Sequence, residues 1–98
     1  MFEEYLTASS VGGKVQQLIG FLVQQPADGI SNDFDYKAAD PDRAEYFDTM
    51  IAEALISHFN VPTEASDIAS LSTVQDIVNH INNAWFFMKS VTLWPSDQ

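Results

Sequence analysis

The sequence contains no cysteine, and that absence excludes several kinds of chemistry. A chain without thiols forms no disulfide, offers no thiolate to a metal ion and has no cysteine nucleophile. Long apolar runs are also missing, and the acidic start at Phe2, Glu3 and Glu4 is unlike a signal peptide. We therefore expect a cytoplasmic protein that does not cross a membrane.

Basic residues are scarce as well. The chain of 98 residues has four Lys and Arg against fourteen Asp and Glu, which gives a formal net charge of −10. So large a negative charge disfavours binding to the phosphates of nucleic acids and to anionic membranes. We expect a basic protein partner, with no nucleic acid and no membrane among the partners.

The hydrophobic content of 46% is enough for one core in a chain of this size, so we expect a single domain over residues 1–98. Its core is predicted to span residues 14–89. The Gly12–Gly13 pair predicts a flexible N-terminal segment over residues 1–13, and residues 90–98 form a C-terminal tail.

Apolar side chains recur at the three- and four-residue spacing of amphipathic helices in two long stretches before residue 63. The first runs over residues 14–25, and its predicted buried face consists of Val15, Leu18, Ile19 and Leu22. The second is central and runs over residues 40–62, with Asp40 as the predicted cap, Pro41 at the first helical position and Asp42 at the positive end of the helix dipole. Its predicted buried face consists of Phe47, Met50, Ile51, Ala54, Leu55, His58 and Phe59.

Two further helices are predicted in the second half of the chain. A short third helix has Thr63 as its cap, with Ile68 and Leu71 facing inward. Ser72 and Gln75 have the spacing of a capping box and mark the start of the fourth helix. Its predicted apolar face consists of Val74, Ile77, Val78, Ile81, Ala84, Trp85 and Met88.

The connection between the first two helices is rich in turn formers and predicts a loop of about fifteen residues, longer than most connections. Ile30, Phe34 and Tyr36 are the side chains expected to anchor it. No run of alternating apolar and polar residues is long enough for a strand. We therefore predict an all-α fold, a small four-helix bundle with a long loop between helices 1 and 2.

Aromatic residues are concentrated toward the C-terminus. We expect the tail to fold back over the bundle and to bury Phe86 or Phe87 against Leu93 and Trp94. Self-association through this aromatic surface is the alternative. The chain is accordingly expected to be a monomer or a weak homodimer.

A metal site is the first alternative function that the acidic loop suggests. Asp33, Asp35, Asp40 and Asp42 lie close together in the sequence, and carboxylate oxygens are the ligands that calcium prefers. However, the glycine and the final acidic ligand required by an EF-hand that starts at Asp33 are both replaced by alanine. We interpret these acids as caps and solvated loop residues, and we expect no metal.

Catalytic residues are not predicted either. His58 and His80 are the only histidines, and each lies near the C-terminal part of a predicted helix, where an imidazolium interacts favourably with the dipole. The sequence contains no G-x-S-x-G motif. We expect that the protein is not an enzyme.

Three segments, taken in order, carry a resemblance to a known family. KVQQLIGFL at residues 14–22 is similar to the first helix of acyl carrier proteins, EALISHFNVP at residues 53–62 to the end of their second helix, and LSTVQDIVNHI at residues 71–81 to their fourth. The chain therefore resembles the acyl carrier protein family over residues 14–81. The resemblance implies four helices, a long first loop and a second helix that carries the function.

The residue that defines loaded carriers is absent from the matching position. Family members attach phosphopantetheine to a serine in an Asp-Ser-Leu motif, and with Phe59 set on its family counterpart that serine falls on Glu45. Ala44, Glu45 and Tyr46 replace the motif, and a carboxylate lacks the hydroxyl that must attack the pyrophosphate of coenzyme A. Thr49 is the nearest hydroxyl in this helix, about one turn further on. We therefore expect no phosphopantetheine and no other cofactor.

The resemblance also implies a recognition surface, because family members dock basic patches of partner enzymes along the second helix. Asp42, Glu45, Asp48 and Glu53 occupy that stretch and are the predicted partner-binding residues. A solvated helix face that serves solubility is the simpler interpretation. Our leading hypothesis is a carrier-like domain that is not loaded and acts through contacts with a carrier-dependent or acyl-chain-processing enzyme.

Two other functions stay open at this point. A divergent acyl carrier protein in fatty-acid or polyketide synthesis would be modified at an unexpected hydroxyl. A small acidic inhibitor or immunity-type protein would block a basic active site through charge complementarity.

Overall fold

Within the part of the chain that the structure describes, the regular elements are α-helices and 3₁₀ turns, with no β-strand. The structure is a computed structural model that describes the backbone of residues 6–93 and the side chains of residues 6–88. The α-helices of this part are α1 (Val11–Val23), α2 (Tyr36–Ala39), α3 (Ala44–Phe59), α4 (Ala65–Ile68) and α5 (Val74–Leu93). The prediction of an all-α class is confirmed, and the short α2 was not predicted.

The first helix begins three residues earlier than predicted. Its N-cap is Ser10, whose hydroxyl accepts a hydrogen bond from the backbone N–H of Gly13 at 3.0 Å. That cap satisfies a free donor of the first turn, so the glycine pair lies inside α1 and not in a segment before it, as the predicted boundary had placed it. The preceding residues are also held, because Leu6 is buried and the Ala8 N–H donates to the Gln17 side chain at 2.9 Å. Residues 1–5 of the predicted flexible segment lie outside the described residues.

The connection between α1 and α3 is anchored where the sequence indicated. Ile30 and Tyr36 are buried, and Phe34 is half-buried against the core. The backbone adds two contacts to the start of α5, since the Tyr36 N–H donates to the Ser72 carbonyl at 3.0 Å and the Val74 N–H to the Phe34 carbonyl at 3.2 Å. The connection is therefore packed against the body of the protein.

The caps of the last two helices differ from the predicted ones. Glu64 caps α4 in a reciprocal pair with Asp67, whereas the Thr63 hydroxyl donates to the Val61 carbonyl. The fourth predicted helix, α5, is capped by Thr73 and Asp76 in place of Ser72 and Gln75. The shift by one residue follows from chemistry, because a short carboxylate accepts backbone N–H bonds at a helix N-terminus more strongly than a neutral amide does.

A single hydrophobic cluster joins the helices. The predicted inward faces of α1 and α3 are confirmed, except that Met50 and His58 are only half-buried. α1 packs against α5, and α3 packs against α4. The largest fully buried side chains are Tyr36, Phe47, Leu18, Ile19, Ile51, Leu55, Ile68, Ile77, Ile81, Val15, Val61 and Val74.

The last helix is longer than predicted and does not turn back. α5 continues to Leu93, and the side chains of Phe86 and Phe87 remain 73% and 67% exposed. The prediction that one of these rings is buried by a returning tail is therefore wrong. Both side chains lie beyond Ile81, the last buried residue described on this helix. Trp94 and the residues after it lie outside the described residues.

Candidate functional site

The start of α3 is built differently from the predicted cap. A 3₁₀ turn at Pro41–Arg43 leads into the helix at Ala44, and the Asp40 side chain makes no capping hydrogen bond. Its carboxylate instead lies 3.6 Å from the guanidinium of Arg43. Asp42 lies in this turn and is exposed, as the interaction hypothesis requires.

Glu45 is the second residue of α3 and lies in its first turn. Its side chain is exposed, and a carboxylate at this place interacts favourably with the positive end of the helix dipole. Glu53 is also exposed, about two turns further along the helix. Three of the four predicted partner-binding residues therefore reach the surface.

Asp48 does not belong to this exposed set. The residue is only 8% exposed, and its carboxylate lies 2.9 Å from the ammonium of Lys37. At about 100° per residue, Asp48 falls between Leu55 and Phe59, which are both on the buried side of the helix. The prediction that Asp48 lies on the exposed side of this helix is wrong, because its carboxylate is buried in an internal ion pair.

Lys37 connects three elements and was missed by the sequence analysis. Besides Asp48 on α3, its ammonium donates to the carbonyl oxygens of Ile68 and Ala69, at 3.2 and 2.9 Å, where α4 ends. A cation at the C-terminus of a helix satisfies carbonyls that have no partner within the helix. The available signal was a basic residue in a very acidic chain, placed directly after the anchoring Tyr36.

Tyr36 lies near the Lys37–Asp48 pair, and the pKa of its hydroxyl reflects the low polarity of this part of the interior. Burial raises the pKa of the Tyr36 hydroxyl well above its usual value, and the nearby carboxylate of Asp48 raises it further. The ring packs edge-on against Phe47 with centroids 5.7 Å apart. The Lys37–Asp48 pair and Tyr36 are therefore structural features of the interior, and the exposed residues of α3 lie on its other side.

The exposed side of α3 combines charge with apolar area. Six exposed residues fall within an arc of about 120° around the helix axis, at 100° per residue. We call this surface the α3 face, and it consists of Glu45, Tyr46, Thr49, Glu53, Ile56 and Ser57. Tyr46 and Ile56 are 45% and 50% exposed, so the face offers two large apolar groups beside its carboxylates.

Two depressions flank the α3 face. The shallower one, of about 440 Å³, lies at the C-terminal end of α3 and is lined by Ile56, Asn60, Pro62, Thr63 and Glu64. The larger cleft, of about 670 Å³, lies between the end of α1 and the start of α3. Arg43 and Tyr46 form one wall of the larger cleft, and the guanidinium lies 4.7 Å from the centre of the tyrosine ring.

The described residues show no arrangement suited to metal binding. Within residues 6–88, no three His, Asp or Glu side chains gather closely enough to hold an ion. Asp35 caps α2 by accepting hydrogen bonds from the N–H groups of Lys37 and Ala38, and Asp33 accepts one from the Ser31 hydroxyl. These two carboxylates act as a cap and a loop contact, as the sequence indicated.

Comparison with known proteins identifies no relative of this chain. Neither a family model, nor a curated protein, nor a solved structure matches this chain. Among residues 6–93, no helix combines the length and apolar character that a membrane span requires. The α3 face, with its exposed carboxylates and apolar side chains, is therefore the candidate functional site.

Proposed function

We propose that this chain is an acyl-carrier-like domain that acts through protein contacts of the α3 face and is not loaded with phosphopantetheine. The observation that carries the proposal is the exposure of Glu45 and Glu53 on the same side of α3, the long helix after the long connection. The resemblance over residues 14–81 implies that this helix is the recognition element.

The composition of the α3 face fits a basic partner. Glu45 and Glu53 attract Lys and Arg side chains and accelerate encounter, while Tyr46 and Ile56 supply apolar area that gains from desolvation. With a net charge of −10, the whole chain contributes to the same attraction. The partner class that satisfies both features is a protein with a basic patch around an apolar depression.

Loading with phosphopantetheine does not fit the residue at the matching position. Glu45 provides a carboxylate where formation of the phosphodiester needs a hydroxyl. Thr49, one turn further on, is the exposed aliphatic hydroxyl of this face that lies nearest in sequence to Glu45. Mass spectrometry after incubation with coenzyme A and a broad-specificity phosphopantetheinyl transferase is expected to show no added mass.

A gain of one phosphopantetheine mass in that experiment would contradict the proposal. It would favour a divergent acyl carrier protein of fatty-acid or polyketide synthesis. In that case Thr49→Val would identify the modified residue if it abolished the gain.

Partner binding is tested by charge reversal on the α3 face. We expect Glu45→Lys with Glu53→Lys to lose a partner that the immobilised wild-type chain retains from a lysate of its source cells, quantified by mass spectrometry. The matched control is Asp28→Lys with Asp33→Lys, which changes the net charge by the same amount at exposed positions outside α3. Equal loss in both variants, or retention in both, would remove the α3 face from the proposal.

The nature of the captured protein separates the remaining hypotheses. A carrier-dependent enzyme whose own activity is unchanged by binding supports the carrier-like role. An enzyme whose active site is blocked by the chain would instead support the acidic inhibitor.

A further inference from the structure

The C-terminal half of α5 carries the most exposed apolar side chains of the described part of the chain. Ile81 is the last fully buried residue of this helix among those described, and the helix continues for twelve residues to Leu93, about 18 Å at 1.5 Å per residue. Phe86 and Phe87 lie in this extension and are 73% and 67% exposed. Exposed aromatic groups of this size on a helix indicate a contact surface.

The extension is also nearly free of charge. Lys89 is the only Asp, Glu, Lys or Arg within residues 77–93, although the whole chain has a net charge of −10. The acidic start of α3 is remote from it. The Trp85 indole N–H donates to the Phe59 carbonyl at 2.8 Å, so this part of α5 lies at the C-terminal end of α3, and Glu45 is about 20 Å away along the helix axis.

We propose that two copies of this chain associate through the ends of α5, around a two-fold axis near Phe86 and Phe87. Two copies of a strongly acidic protein repel each other least where their charge is lowest, and the most exposed of the large apolar side chains described, Phe86 and Phe87, lie in that region. A two-fold contact is self-complementary, and in an antiparallel crossing Phe86 of one copy meets Phe87 of the other. A basic partner attracted by charge would select the α3 face instead.

The exposed area of this surface is small for a stable dimer. The two phenylalanine rings and the exposed part of Trp85 offer roughly 300 to 400 Å² in each copy, whereas a stable interface buries about 800 Å² per partner. An interface of this size is expected to be weak, so the dimer forms only at high protein concentration. Because the contact surface differs from the α3 face, this inference does not depend on the proposed function.

Sedimentation equilibrium between about 10 μM and about 1 mM tests the dimer. The wild-type mass is expected to rise from 10.9 kDa toward twice that value, and added salt is expected to strengthen the association by screening the repulsion between the two copies. Phe86→Ser with Phe87→Ser should remain monomeric. Tyr46→Ser with Ile56→Ser, which removes the exposed apolar groups of the α3 face, should dimerise like wild type.

The absence of native cysteine allows a second, geometric test. Oxidation of Phe87→Cys should give a disulfide-linked dimer, because the position lies beside the proposed axis, whereas Thr49→Cys on the α3 face should cross-link at least about tenfold more slowly. A wild-type chain that stays at the monomer mass up to 1 mM would overturn the proposal. So would equal cross-linking rates at the two positions.

Discussion

At the scale of single residues, the Lys37–Asp48 pair is the contact whose loss should matter most. Both side chains are largely buried, with 17% and 12% of their side-chain area exposed, and the ammonium also binds the end of α4. Removing one member of a buried pair leaves an unpaired charge in the interior. We expect Asp48→Ala to lower the free energy of unfolding by about 2 to 4 kcal/mol, measured by urea denaturation.

The control for this prediction is an aspartate at the surface. Asp33 is exposed, so Asp33→Ala should change the free energy of unfolding by no more than about 0.5 kcal/mol. If the two variants were equally stable, the ion pair would have no structural importance, and Asp48 would return to the set of candidate partner-binding residues.

Two glycines of α1 should respond to alanine in opposite directions. A Cβ at Gly12 would have no neighbour within 4 Å, so Gly12→Ala should stabilise the protein by about 0.5 to 1 kcal/mol through the entropy of the unfolded chain. A Cβ at Gly20 would lie 2.7 Å from the backbone oxygen of Gln25, which does not yield easily. We expect Gly20→Ala to lower the midpoint of thermal unfolding and Gly12→Ala to raise it, and the opposite order would contradict the packing at the end of α1.

The burial of Asp48 could not be predicted from the sequence, for a physical reason. The three- and four-residue spacing correctly identified Phe47, Ile51 and Leu55 as core, and the same spacing places Asp48 among them. We assigned Asp48 to the surface because it is charged, yet an acid becomes buried when a cation from elsewhere pairs with it. The sequence does not say that Lys37 reaches α3, because that contact depends on how the long connection folds.

At the scale of elements, the N-terminus of α5 should be sensitive to pH. Hydrogen bonds from the backbone N–H of Ser72, together with those from Thr73, lower the pKa of the Asp76 carboxyl, and burial opposes them. A carboxyl whose pKa is lower in the folded than in the unfolded state stabilises the protein above the unfolded value of about 3.9, and this contribution is lost as the pH falls through the folded value. The cap therefore weakens in acid.

Asp76→Asn tests this cap directly. We expect the variant to be less stable than wild type by about 1 kcal/mol at pH 7, with the difference shrinking as the pH is lowered below about 4. Chemical denaturation at several pH values measures this difference in the free energy of unfolding. Gln75→Asn changes an exposed side chain beside the cap and should leave the pH dependence unchanged. A constant difference between Asp76→Asn and wild type at all pH values would mean that the carboxylate charge has no role.

Helices could be predicted from this sequence more reliably than their ends. Long apolar periodicity identified α1, α3 and α5, because those faces are the ones that form the core. The first residue of each helix depends on which nearby side chain accepts the capping hydrogen bond. Ser10 accepts it at α1 and Thr73 at α5, and neither was the predicted cap. The direction of the chain after Phe87 depends on tertiary packing, so apolar periodicity alone did not predict that α5 continues to Leu93.

At the scale of the whole molecule, charge is distributed unevenly, and this separates two kinds of contact. The α3 face presents Glu45 and Glu53, and association through it should weaken with salt because opposite charges are screened. The end of α5 is nearly uncharged, and association through it should strengthen with salt because repulsion between acidic copies is screened. Ionic strength therefore tells which surface a given complex uses.

The central claim is that the acidic α3 face is the recognition surface of this chain. Calorimetric titration of the purified partner captured by the wild-type chain measures it most directly, with the Asp28→Lys, Asp33→Lys variant as the charge-matched control. We expect Glu45→Lys with Glu53→Lys to raise the dissociation constant by about tenfold or more, the control to raise it far less, and salt to weaken the wild-type complex. Identical dissociation constants for wild type and the Glu45→Lys, Glu53→Lys variant would contradict the claim.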